Sequence, residues 1–265
     1  MDIDSDKWLH ENRTLRMDAN NDLFPQDRRQ LHLDRYEFAA AYVKGLRVLD
    51  AACGTGYGTA VLGKEAASAV GVDMDAAAVE YATQTYGQPH VQFQKSFVER
   101  TPFAQDDFDV LVSFETVEHT LCPKSHLREI VRLLRVGTGT AVLSVPNAWG
   151  FTDHHFFDFD RTSFAALLAP HFERIEWFYQ NPPSDPVQPG IGAIVSGQER
   201  AHCLIAVCSE PVKTSAAPAS PQLEDIMGEI YDHAFTRHRE YLALREAYRT
   251  DLGARIGRKL RKIFG

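Results

Sequence analysis

Long apolar runs and clustered cysteines are both missing from this sequence. No hydrophobic run approaches the roughly 20 residues that are needed to cross a bilayer, and the N-terminus lacks the basic-then-apolar order of a secretion signal. The four cysteines are not spaced as metal ligands and are expected to be free thiols of a reducing compartment: Cys53, Cys122, Cys203 and Cys208. These absences predict a soluble protein of the cytoplasm.

The sequence also has fewer basic residues than acidic ones, 28 against 36. The 265 residues carry a formal net charge of −8, so the chain lacks the basic field that engages nucleic-acid phosphates. Its 44% hydrophobic and 24% charged residues are the mix of a globular protein with a large core. We therefore expect one domain of ordinary size, with an appendage, that does not bind nucleic acid.

The middle of the chain alternates short aliphatic segments with helical ones. Strands are predicted at residues 47–52, 69–73, 91–96, 109–115 and 140–145, and helices at residues 75–86 and 123–135. Two further strands, 174–179 and 202–209, lack a clear helix between them and are expected to pair antiparallel at one edge. The pattern predicts a doubly wound, Rossmann-like α/β fold, with a mostly parallel seven-stranded sheet and an antiparallel edge strand. The connection 180–197, rich in Pro and Gly, is either a lid or binding loop or a plain surface loop.

The end of the chain is predicted to form a helical extension. We assign residues 1–209 to the main domain, the Pro- and Ala-rich residues 210–221 to a linker and residues 222–265 to one or two helices. Apolar residues recur there at intervals of three or four, and basic residues crowd the last turns: Arg255, Arg258, Lys259, Arg261 and Lys262. Such an extension packs on its own domain or on a second copy in a homo-oligomer, or it contacts an acidic membrane surface or a partner protein.

The strongest local signal is the run V-L-D-A-A-C-G-T-G-Y-G at residues 48–58, where a strand enters a turn of small residues before a helix. Gly54 and Gly56 let a cofactor approach the backbone where a Cβ would intrude. Asp73, at the end of the next strand, can bind both ribose hydroxyls of an adenosine cofactor. A dinucleotide would favour G-x-G-x-x-G around its pyrophosphate. Here the glycines fall at every second position, and Asp50 suits a positively charged amino group.

These motifs resemble those of the class I S-adenosylmethionine-dependent methyltransferases, over roughly residues 34–209. The resemblance implies a set of cofactor contacts along the carboxyl ends of the first four strands: Asp50, Ala52, Gly54, Gly56, Asp73, Met74, Ser96, Phe97 and Phe114. Ala52 stands where the family favours glycine. Ser96 stands where the family often has an aspartate that binds the exocyclic amine of adenine.

Upstream of the glycine-rich run, H-x-x-R-Y-x-F-A at residues 32–39 is similar to sequences of a bacterial subgroup found beside polysaccharide and O-antigen genes. This resemblance implies a sugar hydroxyl as acceptor. Arg35 is expected either to close over the cofactor carboxylate through a bidentate pair or to lie at the surface.

After the fourth strand the sequence reads E-x-x-E-H at residues 115–119, which resembles ubiquinone-biosynthesis O-methyltransferases and small-RNA 2′-O-methyltransferases. The resemblance implies Mg²⁺ or Mn²⁺ held by Glu115, Glu118 and His119, with His154 as a further ligand. A cation there would lower the pKa of the acceptor hydroxyl. Alternatively, Glu118 and His119 only orient the next helix, and His154 or His155 is the general base.

Together the motifs predict an S-adenosylmethionine-dependent O-methyltransferase that acts by in-line methyl transfer on a carbohydrate hydroxyl of a nucleotide sugar, glycan intermediate or glycan terminus. Three alternatives stay open. The acceptor is an aromatic or quinone-like phenol, or an RNA ribose, against which the acidic charge argues. Otherwise the protein is a cofactor-binding module that recruits partners through its C-terminal helix.

Overall fold

The computed structural model describes Lys7, Leu9, Met227 and the residues 17–197, 199–213 and 230–246. The end of the predicted extension, with its basic residues from Arg255 to Lys262, lies outside the described residues, as does most of the predicted linker. Within the described part of the chain, no helix combines the length and the apolar character that spanning a membrane requires.

The chain folds around one mixed sheet of eight strands. Their bounds are Arg47–Ala51 (β1), Ser68–Asp73 (β2), Val91–Lys95 (β3), Val110–Phe114 (β4), Thr140–Pro146 (β5), Phe172–Asn181 (β6), Gly190–Ala193 (β7) and Cys203–Pro211 (β8). The spatial order is β3-β2-β1-β4-β5-β8-β6-β7. The first five strands pair in parallel, whereas β8 runs antiparallel to both β5 and β6. The structure confirms the Rossmann-like α/β fold.

Two details of the predicted sheet are wrong. The sheet has eight strands instead of seven, and the antiparallel β8 lies between β5 and β6 and not at the edge. The predicted antiparallel pairing of the strands at 174–179 and 202–209 is confirmed, since β6 pairs antiparallel with β8. The outer strand β7 falls in the connection that its prolines and glycines marked as a loop. Its residue Gly192 sits where a Cβ would come within 2.5 Å of the Tyr179 hydroxyl, so β7 needs a glycine to pair beneath that ring, although glycine weakens strands in general.

Among the described residues, five helices cover the faces of the sheet and a sixth follows the sheet in the chain; Lys7 and Leu9 are also helical. The six helices are Gln26–Ala40 (α1), Tyr57–Gly63 (α2), Ala76–Tyr86 (α3), Pro123–Leu133 (α4), Arg161–Leu168 (α5) and residues 230–246 (α6), with a short 3-10 turn at Val117–His119. The Asp75 side chain caps α3, and a proline opens α4, as helix starts favour. A capping box between Asp160 and Ser163 starts α5.

The core has two layers because neighbouring residues of the central strands face opposite sides of the sheet. Val48 and Val110 pack under α1 and α2, whereas Leu49 and Leu111 pack under α4 and α5. Both layers exclude solvent, which explains why these strands are continuously aliphatic. The arrangement fixes the carboxyl ends of β1 to β5 at one edge of the sheet.

The sheet extends further along the chain than the sequence indicates. Strand β8 extends through Pro211, which pairs with Phe172, so two residues of the predicted linker belong to the sheet. Helix α6 then lies against the domain, with Tyr231 only 3% exposed.

Candidate active site

The loop between β1 and α2 is shaped by residues with positive φ. Ala52, Gly54 and Gly56 have φ values of 63°, 55° and 86°, a region that glycine adopts without cost. A Cβ on Gly56 would come within 2.6 Å of Ala82, so packing requires that glycine. A Cβ on Gly54 would meet nothing within 4 Å. Gly54 therefore borders open space, which is what close approach of a cofactor needs.

Asp73 fastens this loop to the end of β2. One carboxylate oxygen accepts a hydrogen bond of 3.0 Å from the Gly54 amide, and the other accepts one of 3.0 Å from the Asp75 amide. Each carboxylate oxygen can accept a second hydrogen bond, so the group is suited to bind a ribose diol beside the loop. Its place at the carboxyl end of β2 agrees with the sequence-based expectation.

The residues after β3 lie next to Asp73. The Ser96 amide donates to the backbone oxygen of Asp73 over 2.9 Å. Ser96 turns its hydroxyl towards the Phe97 carbonyl at 3.3 Å, and Phe97 is buried. Met74 is partly exposed beside them. These three side chains are thus assembled around Asp73, where the adenine of a nucleoside would lie.

Asp50 supports the loop from below and does not line the open side. Its carboxylate accepts hydrogen bonds from Tyr36 at 3.2 Å and from Thr59 at 2.6 Å, and it is 1% exposed. Burial raises the pKa of Asp50 to about 7. Asp50 thus joins α1 to α2 beneath the glycines, and its contact with a cofactor amino group stays a prediction.

Arg35 is buried, so the expectation that it lies at the surface is wrong. Its guanidinium lies 2.6 Å from a Glu115 oxygen and donates to the Ser144 hydroxyl over 3.2 Å. The same Glu115 oxygen accepts from Ser144 at 2.9 Å. The structure therefore gives Arg35 a carboxylate partner from the protein itself, and its contact with a cofactor carboxylate stays a prediction. Phe114, which precedes Glu115, packs edge-to-face on Tyr36.

A second polar group forms beside the end of β4. Glu118, His119 and His155 place ligand atoms within 4.8 Å of one another. Glu118 is 1% exposed, and neither of its side-chain oxygens has a hydrogen-bond partner within the described part of the chain. Burial and the nearby charge of Glu115 raise the pKa of Glu118 well above its usual range. His119 Nε2 lies 3.8 Å from one of the Glu118 oxygens, and a buried carboxyl group without a hydrogen-bond partner calls for a water, an ion or a ligand.

The two histidines of this group have distinct surroundings. His119 Nδ1 lies 2.7 Å from the His154 carbonyl; because a carbonyl only accepts, Nδ1 carries a proton, and Nε2 faces a Glu118 oxygen 3.8 Å away. His155 packs edge-to-face on His119 at 4.7 Å. Burial lowers the pKa of His155, so its ring is neutral near pH 7.

The predicted metal ligands are only partly brought together. Glu118 and His119 are adjacent, but Glu115 is engaged by Arg35, and the His154 ring packs on Phe235 of α6, at 5.8 Å. The histidine that joins Glu118 and His119 is His155 and not the predicted His154. Two adjacent histidines in a loop point in different directions, and the sequence cannot distinguish which of them faces Glu118.

Several residues of the site escape sequence reasoning. Thr59 and Ser144 hold Asp50 and Glu115, and Tyr231 packs on Phe97. A usable signal exists for Tyr36, because it follows Arg35 on the buried side of α1, and their joint burial would have indicated that the helix faces the site. Ser144 and Tyr231 carry no such local signal.

The strand order reverses between β1 and β4, and ligands of such sheets bind outside the carboxyl ends of the strands at that point. The open Gly54, the acid of β2 and the buried residues after β3 meet there, and they fit a nucleoside cofactor without phosphate. Residues 49–142 match the family model described as a methyltransferase domain. The chain therefore carries a class I S-adenosylmethionine-dependent methyltransferase domain with a Rossmann-like fold.

Relatives of known name agree with this class. The chain is 33% identical over 105 residues to the "probable S-adenosylmethionine-dependent methyltransferase" of Mycobacterium tuberculosis. That alignment covers 40% of this chain and 37% of the relative. It is 30% identical over 200 residues to the 2-methyl-6-phytyl-1,4-hydroquinone methyltransferase 1 of Oryza sativa subsp. japonica, 73% of this chain and 59% of the relative. The chain thus spans between about a third and three fifths of the length of these relatives.

Solved structures show the same fold. An S-adenosylmethionine-dependent methyltransferase from Thermotoga maritima aligns with a TM-score of 0.57 and 17% identity, over 70% of this chain and 91% of that one. A TehB-like methyltransferase from Corynebacterium glutamicum aligns with a TM-score of 0.53 and 22% identity, over 78% of this chain and 97% of that one.

Proposed function

We propose that the protein transfers the methyl group of S-adenosylmethionine to a hydroxyl oxygen, with a carbohydrate hydroxyl as the acceptor. The observation that carries the proposal is the group formed by Glu118, His119 and His155, which lies beside the end of β4 and contains a buried carboxyl group that has no hydrogen-bond partner among the described residues. When bound, S-adenosylmethionine supplies a methyl group on a positively charged sulfur. The residues of the chain then have two tasks: to orient the acceptor and to take its proton.

His155 is the residue best suited to take the proton. Its half-buried ring is neutral near pH 7 because burial lowers its pKa, and a neutral imidazole accepts a hydroxyl proton. His119 keeps its Nδ1 proton on the His154 carbonyl and so orients the group. Glu118 offers a buried carboxyl group to either the acceptor hydroxyl or the imidazolium that forms.

A cavity lined by the residues that precede His154 and His155 in the chain supports a sugar as the acceptor. The cavity has a volume of about 390 Å³ and lies between residues 150–153 and the α6 residues Leu242, Arg245 and Glu246. Its wall at Asp153 leads directly into His154 and His155 along the chain. The exposed ring of Phe151 offers a face for the C–H groups of a sugar ring, and the charged side chains offer donors and acceptors for its hydroxyls.

A phenolic acceptor is the second candidate, and the comparisons favour it. The relative from rice is named for a hydroquinone, and the chain is 31% identical over 110 residues to a phthiotriol/phenolphthiotriol dimycocerosates methyltransferase of Mycobacterium ulcerans, 40% of this chain and 41% of the relative. The exposed Trp149 and Phe151 would stack on an aromatic ring as well as on a sugar.

Incubation of the protein with S-adenosylmethionine and a panel of nucleotide sugars, glycan intermediates and hydroquinones separates the candidates. We expect mass spectrometry to detect a gain of about 14 Da, one methyl in place of a hydrogen, on a carbohydrate. The gain on hydroquinones alone would replace the carbohydrate by the phenol. No gain on any compound, despite binding of the cofactor, would favour the binding module.

Substitution of the histidine tests its role as base. With the acceptor from that screen, we expect His155→Ala to lower kcat by about 10²- to 10⁴-fold, the usual contribution of a general base. The affinity for S-adenosylhomocysteine, measured by calorimetry, should change less than threefold. His154→Ala is the matched comparison and should lose much less, because its ring packs on Phe235. Equal losses in the two variants would contradict the assignment.

Removal of metal ions tests the cation that the resemblance implies. One carboxylate and two imidazoles suit Mn²⁺ better than Mg²⁺, which prefers oxygen ligands. Because only three donors converge among the described residues, we expect activity to be unchanged after dialysis against EDTA. Loss of activity that Mn²⁺ restores would instead assign Glu118, His119 and His155 to a cation that activates the acceptor.

We further propose that the protein works in the cytoplasm on a small-molecule or glycan substrate and not on nucleic acid, which its net charge of −8 supports. Formation of a homo-oligomer and contact of the basic tail with a membrane or a partner stay predictions, since the residues that would carry them lie outside the described part of the chain.

A further inference from the structure

Helix α6 lies beyond the residues that match the family model, yet its side chains face the active site. Tyr231 is 3% exposed. Two turns along the helix, His238 Nε2 lies 2.8 Å from the Thr152 carbonyl, and between them the Phe235 ring lies 4.8 Å from Phe156. The helix therefore contacts segments that follow β3, β4 and β5, all at the carboxyl edge of the sheet.

The Tyr231 ring supports a residue of the cofactor site. It stacks on Phe97 with ring centroids 5.7 Å apart and an interplanar angle of 20°. Phe97 follows Ser96, whose amide is bonded to the Asp73 backbone, so its position relative to the ribose-binding acid is fixed by the sheet. The backbone of Phe97 is therefore held in place, whereas its side chain can still rotate. The Tyr231 ring covers that side chain.

The Tyr231 hydroxyl connects two segments that flank the crevice. It donates a hydrogen bond to Glu99, and it accepts one from the Leu121 amide over 3.3 Å. Glu99 is itself buried, and a buried carboxyl group without such a donor is costly. Glu99 belongs to the segment after β3 and Leu121 to the segment after β4. One hydroxyl thus ties both segments to α6.

We propose that Tyr231 is a positioning residue for the cofactor: it holds Phe97 against the adenine and couples α6 to occupancy of the crevice. The inference rests on the assignment of S-adenosylmethionine as cofactor. By linkage, a residue that helps the protein to bind a ligand is itself held more firmly when the ligand is bound. The C-terminal helix is then part of the active site, although it lies outside residues 49–142 that match the family model.

Calorimetry of the full chain with S-adenosylhomocysteine tests this role. Loss of the stacking ring and both hydrogen bonds should weaken binding about tenfold or more in Tyr231→Ala. Tyr231→Phe keeps the packing but leaves Glu99 without its donor, and it should weaken binding about threefold. Tyr241→Ala is the matched control on the same helix, because Tyr241 is 58% exposed; its affinity should equal that of the unmodified chain.

Hydrogen exchange supplies the readout that a purely structural role would not move. We expect S-adenosylhomocysteine to slow amide exchange in residues 230–246 of the unmodified chain and of Tyr241→Ala, but not of Tyr231→Ala. Affinity within twofold of the unmodified chain in both Tyr231 variants, or slowing that persists in Tyr231→Ala, would overturn the inference alone. Failure of the unmodified chain to bind S-adenosylhomocysteine would overturn the cofactor assignment with it.

Discussion

Replacement of Asp73 by alanine is expected to weaken S-adenosylhomocysteine binding by about a hundredfold or more. Hydrogen bonds to a charged group contribute about 1.5–3 kcal/mol each, and a carboxylate that grips a ribose diol makes two of them. The substitution also removes the acceptor for the Gly54 and Asp75 amides, so the loop beside the cofactor loosens. Titration calorimetry with the purified variant measures the change directly.

The neighbouring acid is the control for this experiment. Asp75 caps α3 through the Ala77 amide, and loss of such a cap costs about 1 kcal/mol of stability. Asp75→Ala should therefore melt at a lower temperature while it keeps its affinity within threefold. If Asp73→Ala bound S-adenosylhomocysteine as tightly as the unmodified chain, the position of the nucleoside at the end of β2 would be wrong.

Replacement of Arg35 by alanine is expected to lower the free energy of unfolding by about 3–5 kcal/mol, the usual cost of removing one partner from a buried ion pair. Glu115 would lose the guanidinium 2.6 Å away, and a cavity would open under β4 and β5. Urea denaturation followed by circular dichroism gives the value. The effect should appear without any cofactor, which distinguishes this role from one in binding the cofactor carboxylate.

Arg29 provides the comparison for that experiment, because it forms an ion pair from the same helix. Its partner Asp22 is almost fully exposed, and surface pairs contribute only about 0–1 kcal/mol. Arg29→Ala should therefore be nearly neutral. Arg35→Met combined with Glu115→Gln should recover much of the lost stability, since no charge is then left buried alone. A loss under 1 kcal/mol in Arg35→Ala would show that the pair is not closed in solution.

The parts of the fold that the sequence predicts correctly are those whose signal is local. The strands β1, β2, β4 and β5 are short and largely aliphatic runs that the core buries, whereas β3 is partly exposed at the edge of the sheet. The bounds of all five strands are reproduced to within about one residue. Strand β7 has no such run; it exists because β6 is available to pair with it. Because β8 is inserted between β5 and β6, the strands β6 and β7 form the outer end of the sheet. No local pattern in the sequence indicates that insertion.

The same distinction holds for the site. Gly54 and Asp73 could be predicted because a turn and a strand end define them locally. Arg35 could be identified as notable, but its partner Glu115 comes from a distant strand. Tyr231 is far from Phe97 in the sequence, and only the packing of α6 brings the two rings together. Long-range contacts of this kind are what sequence patterns cannot supply.

The central place of β8 also bears on the order in which the protein folds. The strand that completes the sheet beside β5 is made after β6 and β7, so the crevice-forming half of the molecule leaves the ribosome with the flank of β5 unpaired. A chain cut before Cys203 would lack the whole of β8, the antiparallel partner of β5, and would be prone to pair that open flank with another copy. Synthesis past this strand is therefore the step after which the nascent domain is protected from association.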